Sequence, residues 1–152
     1  MLTYQTIAVQ KRHTMMRYLL IGDAEEEMVL RYLSYGQLWA LKVDEQLIGV
    51  LHYVPAGAGR IEIKNIGILP EYQRQGYGRQ AIDLLTTKLA DQAYQALIVG
   101  TGDASLDNLA FYLKQGFRFS DIRKHFFEQY QTPIIENGIQ LQDMVLLAKP
   151  LN

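Results

Sequence analysis

The stretch from residue 60 to residue 90 restricts the fold more than any other part of the 152-residue chain. It opens with Arg60-Ile-Glu-Ile-Lys-Asn-Ile-Gly-Ile-Leu69, an apolar run whose phase breaks in the middle. Side chains of a strand alternate with period two, so Ile61 and Ile63 fall on one face and Ile66 and Ile68 on the other. Two arrangements accommodate the break. One extra residue near Lys64-Asn65, a β-bulge, restores the phase and releases backbone groups that a ligand amide can pair with. A strand buried on both faces accounts for the pattern equally well. Pro70-Glu-Tyr-Gln73-Arg74-Gln75-Gly76-Tyr77-Gly78-Arg79 follows, and a helix is predicted over 77–90, with Ala81, Ile82, Leu85 and Leu89 at helical spacing. Backbone amides at a helix N-terminus, with glycines permitting close approach, form an anion site. Arg74 and Arg79 flank it and would pair with phosphate oxygens. Taken alone, Gly-Tyr-Gly after a strand is more often a tight turn and nothing more. The Lys-Ser/Thr ending of a Walker loop and the glycine spacing of a dinucleotide fingerprint are both missing.

The rest of the chain reads as one domain over residues 1–152, without repeat, linker or low-complexity stretch. A strand is predicted over 2–9 and helices over about 12–21 and 24–33, with Asp23 and Glu26 at capping-box spacing. Residues 37–43 and 46–54 read as a hairpin turning at Asp44-Glu45. After the central segment come a short buried strand over 96–99 and a helix over 105–115 stopped by Gly116. Strands over 117–127 and 139–148 close the chain, with Pro133 and Asn137-Gly138 between them. The fold class is α/β, in a mixed α+β layout with a mostly antiparallel sheet and about four helices.

Charge and composition exclude several functions. The formal net charge of −1, with no run of Lys or Arg, leaves no footprint for a nucleic acid. The absence of cysteine rules out disulfides, thiolate metal sites and a cysteine acyl-enzyme. His13, His52 and His125 lack metal-ligand spacing, so no metal is expected. The first ten residues lack the layout of a signal peptide and no apolar run is long enough to span a bilayer, so a cytoplasmic location without membrane contact is the expectation.

At Gln73-Arg-Gln-Gly76-Tyr-Gly78 the chain resembles the GNAT superfamily of N-acetyltransferases, whose signature is Gln/Arg-x-x-Gly-x-Gly/Ala between a bulged strand and a helix. Asn65-Ile-Gly-Ile-Leu-Pro70 is similar to the family's strand ending, and Tyr112-Leu-Lys-Gln-Gly116-Phe117 resembles its second motif. The resemblance covers about three quarters of the chain. It implies acetyl-CoA as cosubstrate. The pyrophosphate would be held by the amides of Arg74, Gly76, Gly78 and Arg79 within a loop that also includes Gln73, Gln75 and Tyr77. The pantetheine arm would pair with the backbones of Ile66 and Ile68. The family often carries Asn seven residues before the tyrosine and Ala four before it. Here Ser105 and Asn108 stand in those places, and a cofactor contact would fall to them or to water. The segment from His125 onward looks like a tail of one bacterial subgroup and implies no particular substrate. Dimers are common in the superfamily.

Acetyl transfer to an amine needs a neutral amine, a stabilised oxyanion and a proton for the leaving thiolate. Tyr112 is the candidate proton donor, because a phenol of pKa ~10 stays protonated at neutral pH. A backbone amide near the bulge, that of Ile68, would hold the oxyanion. Glu62 is the candidate base, at the position that histone-acetylating members of the superfamily use. An ordinary polar residue on a sheet face explains it as well, and His125 and Glu136 are alternatives. Along the helix over 105–115 Leu106, Leu109, Ala110 and Leu113 form one stripe, expected to face the sheet. Ser105, Asn108 and Tyr112 form another, expected at a cleft edge. The acceptor, a small-molecule or peptide amine, is expected near 22–23, 34–36 and 132–138. Tyr32, Tyr35, Trp39 and Tyr130 are candidates to line that pocket, although as a group they read better as core or rim. A non-catalytic acyl-CoA sensor is the competing function, and an occluded partner domain a third.

Overall fold

The computed structural model describes residues 1–151, and the chain divides into two compact units, 1–94 and 95 onward. No helix among the described residues is long and apolar enough to cross a membrane.

In the first unit, β1 (Leu2–Thr6), α1 (Met16–Gly22), α2 (Glu26–Leu30), β2 (Gln37–Val43), β3 (Gln46–Pro55), β4 (Arg60–Ile68) and α3 (Tyr77–Leu89) follow one another. The strands lie in chain order, each antiparallel to the next. The hairpin turn is where the sequence puts it, with Asp44 and Glu45 both left-handed at φ 50° and 67°. Leu38 and Val50 on one sheet face pack with Leu19 of α1 and Val29 of α2. On the other face Trp39 is fully buried, stacked by Tyr4 at 3.7 Å and met edge-on by Tyr53 at 5.5 Å. The predicted apolar face of α3, Ala81, Ile82, Leu85 and Leu89, is buried throughout. Each of its three large side chains contributes roughly 1.5–3 kcal/mol by leaving water.

The first two helices are shorter than periodicity predicts, because residues 9–15 are 3-10 and α2 ends at Leu30. Residues 9–15 form a 3-10 segment in which the Arg12 side chain is buried. Its guanidinium donates to the carbonyls of Leu33 at 2.8 Å, Tyr35 at 2.9 Å and Gly36 at 2.7 Å. Those donors satisfy the carbonyls beyond α2, where further helical turns would otherwise use backbone N–H groups. The expected capping box does not form either. Glu25 is the N-cap of α2 without a side-chain cap, and the Asp23 carboxylate instead accepts from the Tyr32 hydroxyl at 3.0 Å.

The second unit holds β5 (Ala96–Gly102), α4 (Leu106–Lys114), β6 (Arg118–Arg123), β7 (Ile135–Glu136), β8 (Ile139–Gln140) and β9 (Met144–Pro150). Strand β9 lies between β5 and β6, antiparallel to both. The closing strands depart from expectation. Asn137 and Gly138, at φ 55° and 74°, turn the separate hairpin β7–β8. Asp103 then takes the N–H groups of Gln142 and Asp143, each at 3.1 Å, which interrupts the strand expected over 139–148.

Helix α4 also corrects the stripe assignment. Leu106 is 51 % exposed, Ala110 is exposed, and Tyr112 is the residue that the helix buries. An aromatic ring brings more apolar surface than a leucine and gains edge contacts. Tyr112 makes such contacts with Phe111 at 5.1 Å and Phe117 at 5.5 Å.

Candidate active site

Strand β4 carries the predicted bulge. Ile61, Ile63, Ile66 and Ile68 oppose Pro55, Tyr53, Leu51 and Gly49, alternate residues of β3, so all four isoleucines share one face. The register slips between His52 and Tyr53, and Lys64 is the extra residue. The other reading of the sequence holds too, because Glu62 and Asn65 on the opposite face are buried. Leu69 donates its N–H to the Ile48 carbonyl at 2.8 Å. Antiparallel pairs alternate in hydrogen bonding, so the backbone groups of Ile66 and Ile68 point away from β3. The Ile68 carbonyl accepts from the Gln73 side chain at 2.8 Å.

The loop after β4 is shaped by left-handed residues and by its own glutamines. Arg74 and Gly76 have φ 62° and 87°, and Gly76 is the N-cap of α3. A Cβ built on Gly76 would meet no atom nearer than Gln80 Nε2 at 4.0 Å, so the space beside this helix terminus is open. Gln75 donates to the Glu71 carbonyl at 3.0 Å, as Gln73 does to Ile68, so both side chains brace the loop from within. The amides of Tyr77, Gly78 and Arg79 belong to the first turn of a 13-residue helix, whose dipole favours an anion.

On the face of β4 covered by α1, polar groups gather near the bulge. The Glu62 carboxylate lies 3.6 Å from Lys64 Nζ, which sits 5.6 Å from the centre of the Tyr32 ring. His52, opposite Asn65 in register, is fully buried and bonds the Tyr35 carbonyl through Nε2 at 2.6 Å. A carbonyl only accepts, so Nε2 carries the proton. Burial lowers the His52 pKa to about 4, which keeps the ring neutral and makes it a support of the 33–36 loop. Tyr35 is exposed, and Trp39 is core.

In the second unit, burial pushes the Tyr112 phenol well above its ordinary pKa, so it stays protonated through the physiological range. Ser105, the buried N-cap of α4, donates its hydroxyl to Glu136 at 3.0 Å. Asn137 donates to the Ala104 carbonyl at 2.9 Å, so the β7–β8 hairpin is fastened to the start of α4. Asn108 is exposed and reaches Thr101 Oγ1 at 3.4 Å. His125 is exposed and pairs with Glu128 at 3.1 Å. Sequence reasoning missed Arg12 and the hairpin fastening. The Asn-Gly pair signalled the turn, but nothing in the pattern signalled what Glu136 would meet.

The class of protein, an acetyltransferase, is given by comparison with known proteins. The model of the acetyltransferase (GNAT) family matches residues 9–117. YvbK, an uncharacterized N-acetyltransferase of Bacillus subtilis, is 33 % identical over 130 residues, covering 85 % of this chain and 84 % of that protein. The GNAT family acetyltransferase of Elizabethkingia anophelis, solved with acetyl-CoA bound, is 35 % identical with a TM-score of 0.90, covering 98 % of this chain and 97 % of that one. The IAA acetyltransferase of Bacillus cereus is 29 % identical with a TM-score of 0.89, covering 99 % of each chain. The chain belongs to the acetyltransferase (GNAT) family.

Proposed function

We propose that this protein transfers an acetyl group from acetyl-CoA to an amine of a small molecule or peptide by direct attack, the whole chain acting as one catalytic domain. The observation that carries this reading is the bulge at Lys64, after which the backbones of Ile66 and Ile68 turn away from β3 toward a prospective pantetheine arm. The left-handed Gly76, with open space beside it, supports a pyrophosphate bound at the amides of Arg74, Gly76, Gly78 and Arg79. Gln73, Gln75 and Tyr77 shape that loop. Ser105 and Asn108 are assigned a further cofactor contact, and Ser105 would share its hydroxyl with Glu136.

In the reaction the amine nitrogen attacks the thioester carbonyl and the Ile68 amide receives the oxyanion. The carbon–sulfur bond breaks as the oxyanion collapses. Tyr112, which burial keeps in its protonated form, gives its proton to the leaving thiolate. Glu62 takes the amine proton, with Lys64 as its ion-pair partner in the resting protein. Thiol release from acetyl-CoA, followed across a panel of small amines and peptide N-termini, tests the proposal. Release that depends on an amine, with an acetylated product 42 Da heavier by mass spectrometry (the mass of an acetyl group less one hydrogen, ~42 Da), is expected. Release that is the same with and without every amine would overturn it.

A further inference from the structure

We infer that Asn65 is a positioning residue that fixes the bulge of β4, and with it the outward backbone of Ile66 and Ile68, by locking the strand to α1; the inference rests on the cofactor reading proposed above. The extra residue Lys64 turns Asn65 to the face that α1 covers, where its side chain is buried. There Nδ2 donates to the Leu19 carbonyl at 2.8 Å and to the Tyr32 hydroxyl at 3.0 Å. The same hydroxyl donates to Asp23 at 3.0 Å, which extends the lock to the turn between α1 and α2. The amide orientation follows from these partners, since only the NH₂ group can give both bonds.

Two glycines show how closely the helix is held. A Cβ on Gly22 would overlap Asn65 Oδ1 and lie 2.8 Å from the Ile66 carbonyl oxygen. A Cβ on Gly67 would lie 2.5 Å from the Tyr18 carbonyl oxygen. Neither glycine has a positive φ, so both are required for space and not for backbone conformation. Asn65 Oδ1 has no hydrogen-bond partner among the described residues and lies against the Gly22 backbone. A buried amide with an unpaired acceptor is a costly way to fill this face, and an apolar side chain would fill it without that cost. What the amide supplies is a fixed register between a helix carbonyl and the residue directly after the bulge.

The test separates the two ends of the cofactor. Binding of acetyl-CoA and of 3′-phospho-ADP, the nucleotide end alone, is measured by calorimetry for the wild type, Asn65→Ala, Gly22→Ala and Tyr32→Phe. The nucleotide fragment engages the loop at Gly76, whereas acetyl-CoA also needs the bulged strand. Asn65→Ala and Gly22→Ala should weaken acetyl-CoA by about tenfold or more, with 3′-phospho-ADP held within roughly threefold. Tyr32→Phe removes one of the two amide bonds and keeps the ring, so it should weaken acetyl-CoA by about threefold and serve if Asn65→Ala does not fold. Equal weakening of both ligands would make Asn65 merely structural and overturn the inference, as would unchanged affinity for both. A wild type that binds neither ligand would overturn the cofactor reading and this inference with it.

Discussion

Replacing Tyr112 with phenylalanine removes one oxygen and leaves the ring where it is, so it separates packing from chemistry. The ring keeps its edge contacts with Phe111 at 5.1 Å and Phe117 at 5.5 Å. Stability should therefore change by no more than about 1 kcal/mol, the size of a single hydrogen-bonding group. In a chain of this length that is a shift in Tm of about 2–4 °C. Losing the proton donor should lower kcat about 10²–10⁴-fold, equivalent to roughly 2.7–5.5 kcal/mol of barrier. Acetyl-CoA affinity, measured by calorimetry, should stay within about twofold, because the hydroxyl acts only as the thiolate leaves. Burial holds the phenol protonated above its ordinary range, so its ionisation should leave no basic limb in the wild-type rate profile below pH ~10. Unchanged kcat would refute the assignment. A parallel fall in kcat and affinity would show that Tyr112 only positions the cofactor.

Three further outcomes follow from other parts of the structure. Gly76→Val places a branched residue at φ 87° with no protein atom in its way, so it should cost roughly 2 kcal/mol of stability, leave the circular-dichroism spectrum native, and abolish CoA binding in calorimetry. His52 has a pKa of about 4 in the fold, lowered by burial from the ordinary 6.5. The unfolded chain therefore takes up the extra proton first, so His52's contribution is complete above pH 6.5 and is lost as pH falls toward 4, by about 3 kcal/mol in urea titrations. His52→Asn should flatten that slope. Glu45→Gly relieves a left-handed residue in the β2–β3 turn at φ 67° and should raise stability by about 1 kcal/mol, read as a higher midpoint in urea.

Much of the first unit was legible because its signals are local. Four isoleucines out of phase by one residue require either a bulge or burial on both faces, and β4 has both. The buried face of α3 follows from spacing alone. Asp44-Glu45 stood between two apolar runs of strand length and turned there without a glycine. What failed was information carried by tertiary partners. Asp23 had capping spacing but is occupied by Tyr32, nine residues on. Helical spacing in α4 separated two stripes, but only Leu109 and Leu113 of the expected apolar stripe are half-buried, and Tyr112 of the other is the residue buried most deeply. The final strand was broken by Asp103, about forty residues upstream of the amides it captures. Candidate site residues were legible as types in a pattern. The bonds that hold them, Gln73 to Ile68 and Ser105 to Glu136, depend on geometry that no spacing rule encodes.

Binding of the cosubstrate is the decisive measurement for an acetyl-CoA site at the bulge and the Gly76 loop. Thermal unfolding would be followed with acetyl-CoA, free CoA or ATP, each at up to one hundred times the expected dissociation constant. A specific ligand at that concentration stabilises the fold by about 2.7 kcal/mol. An upward shift is expected with both CoA species and none with ATP. No shift with any of them, or a shift of equal size with ATP, would contradict the placement of an acetyl-CoA site at the bulge and the Gly76 loop.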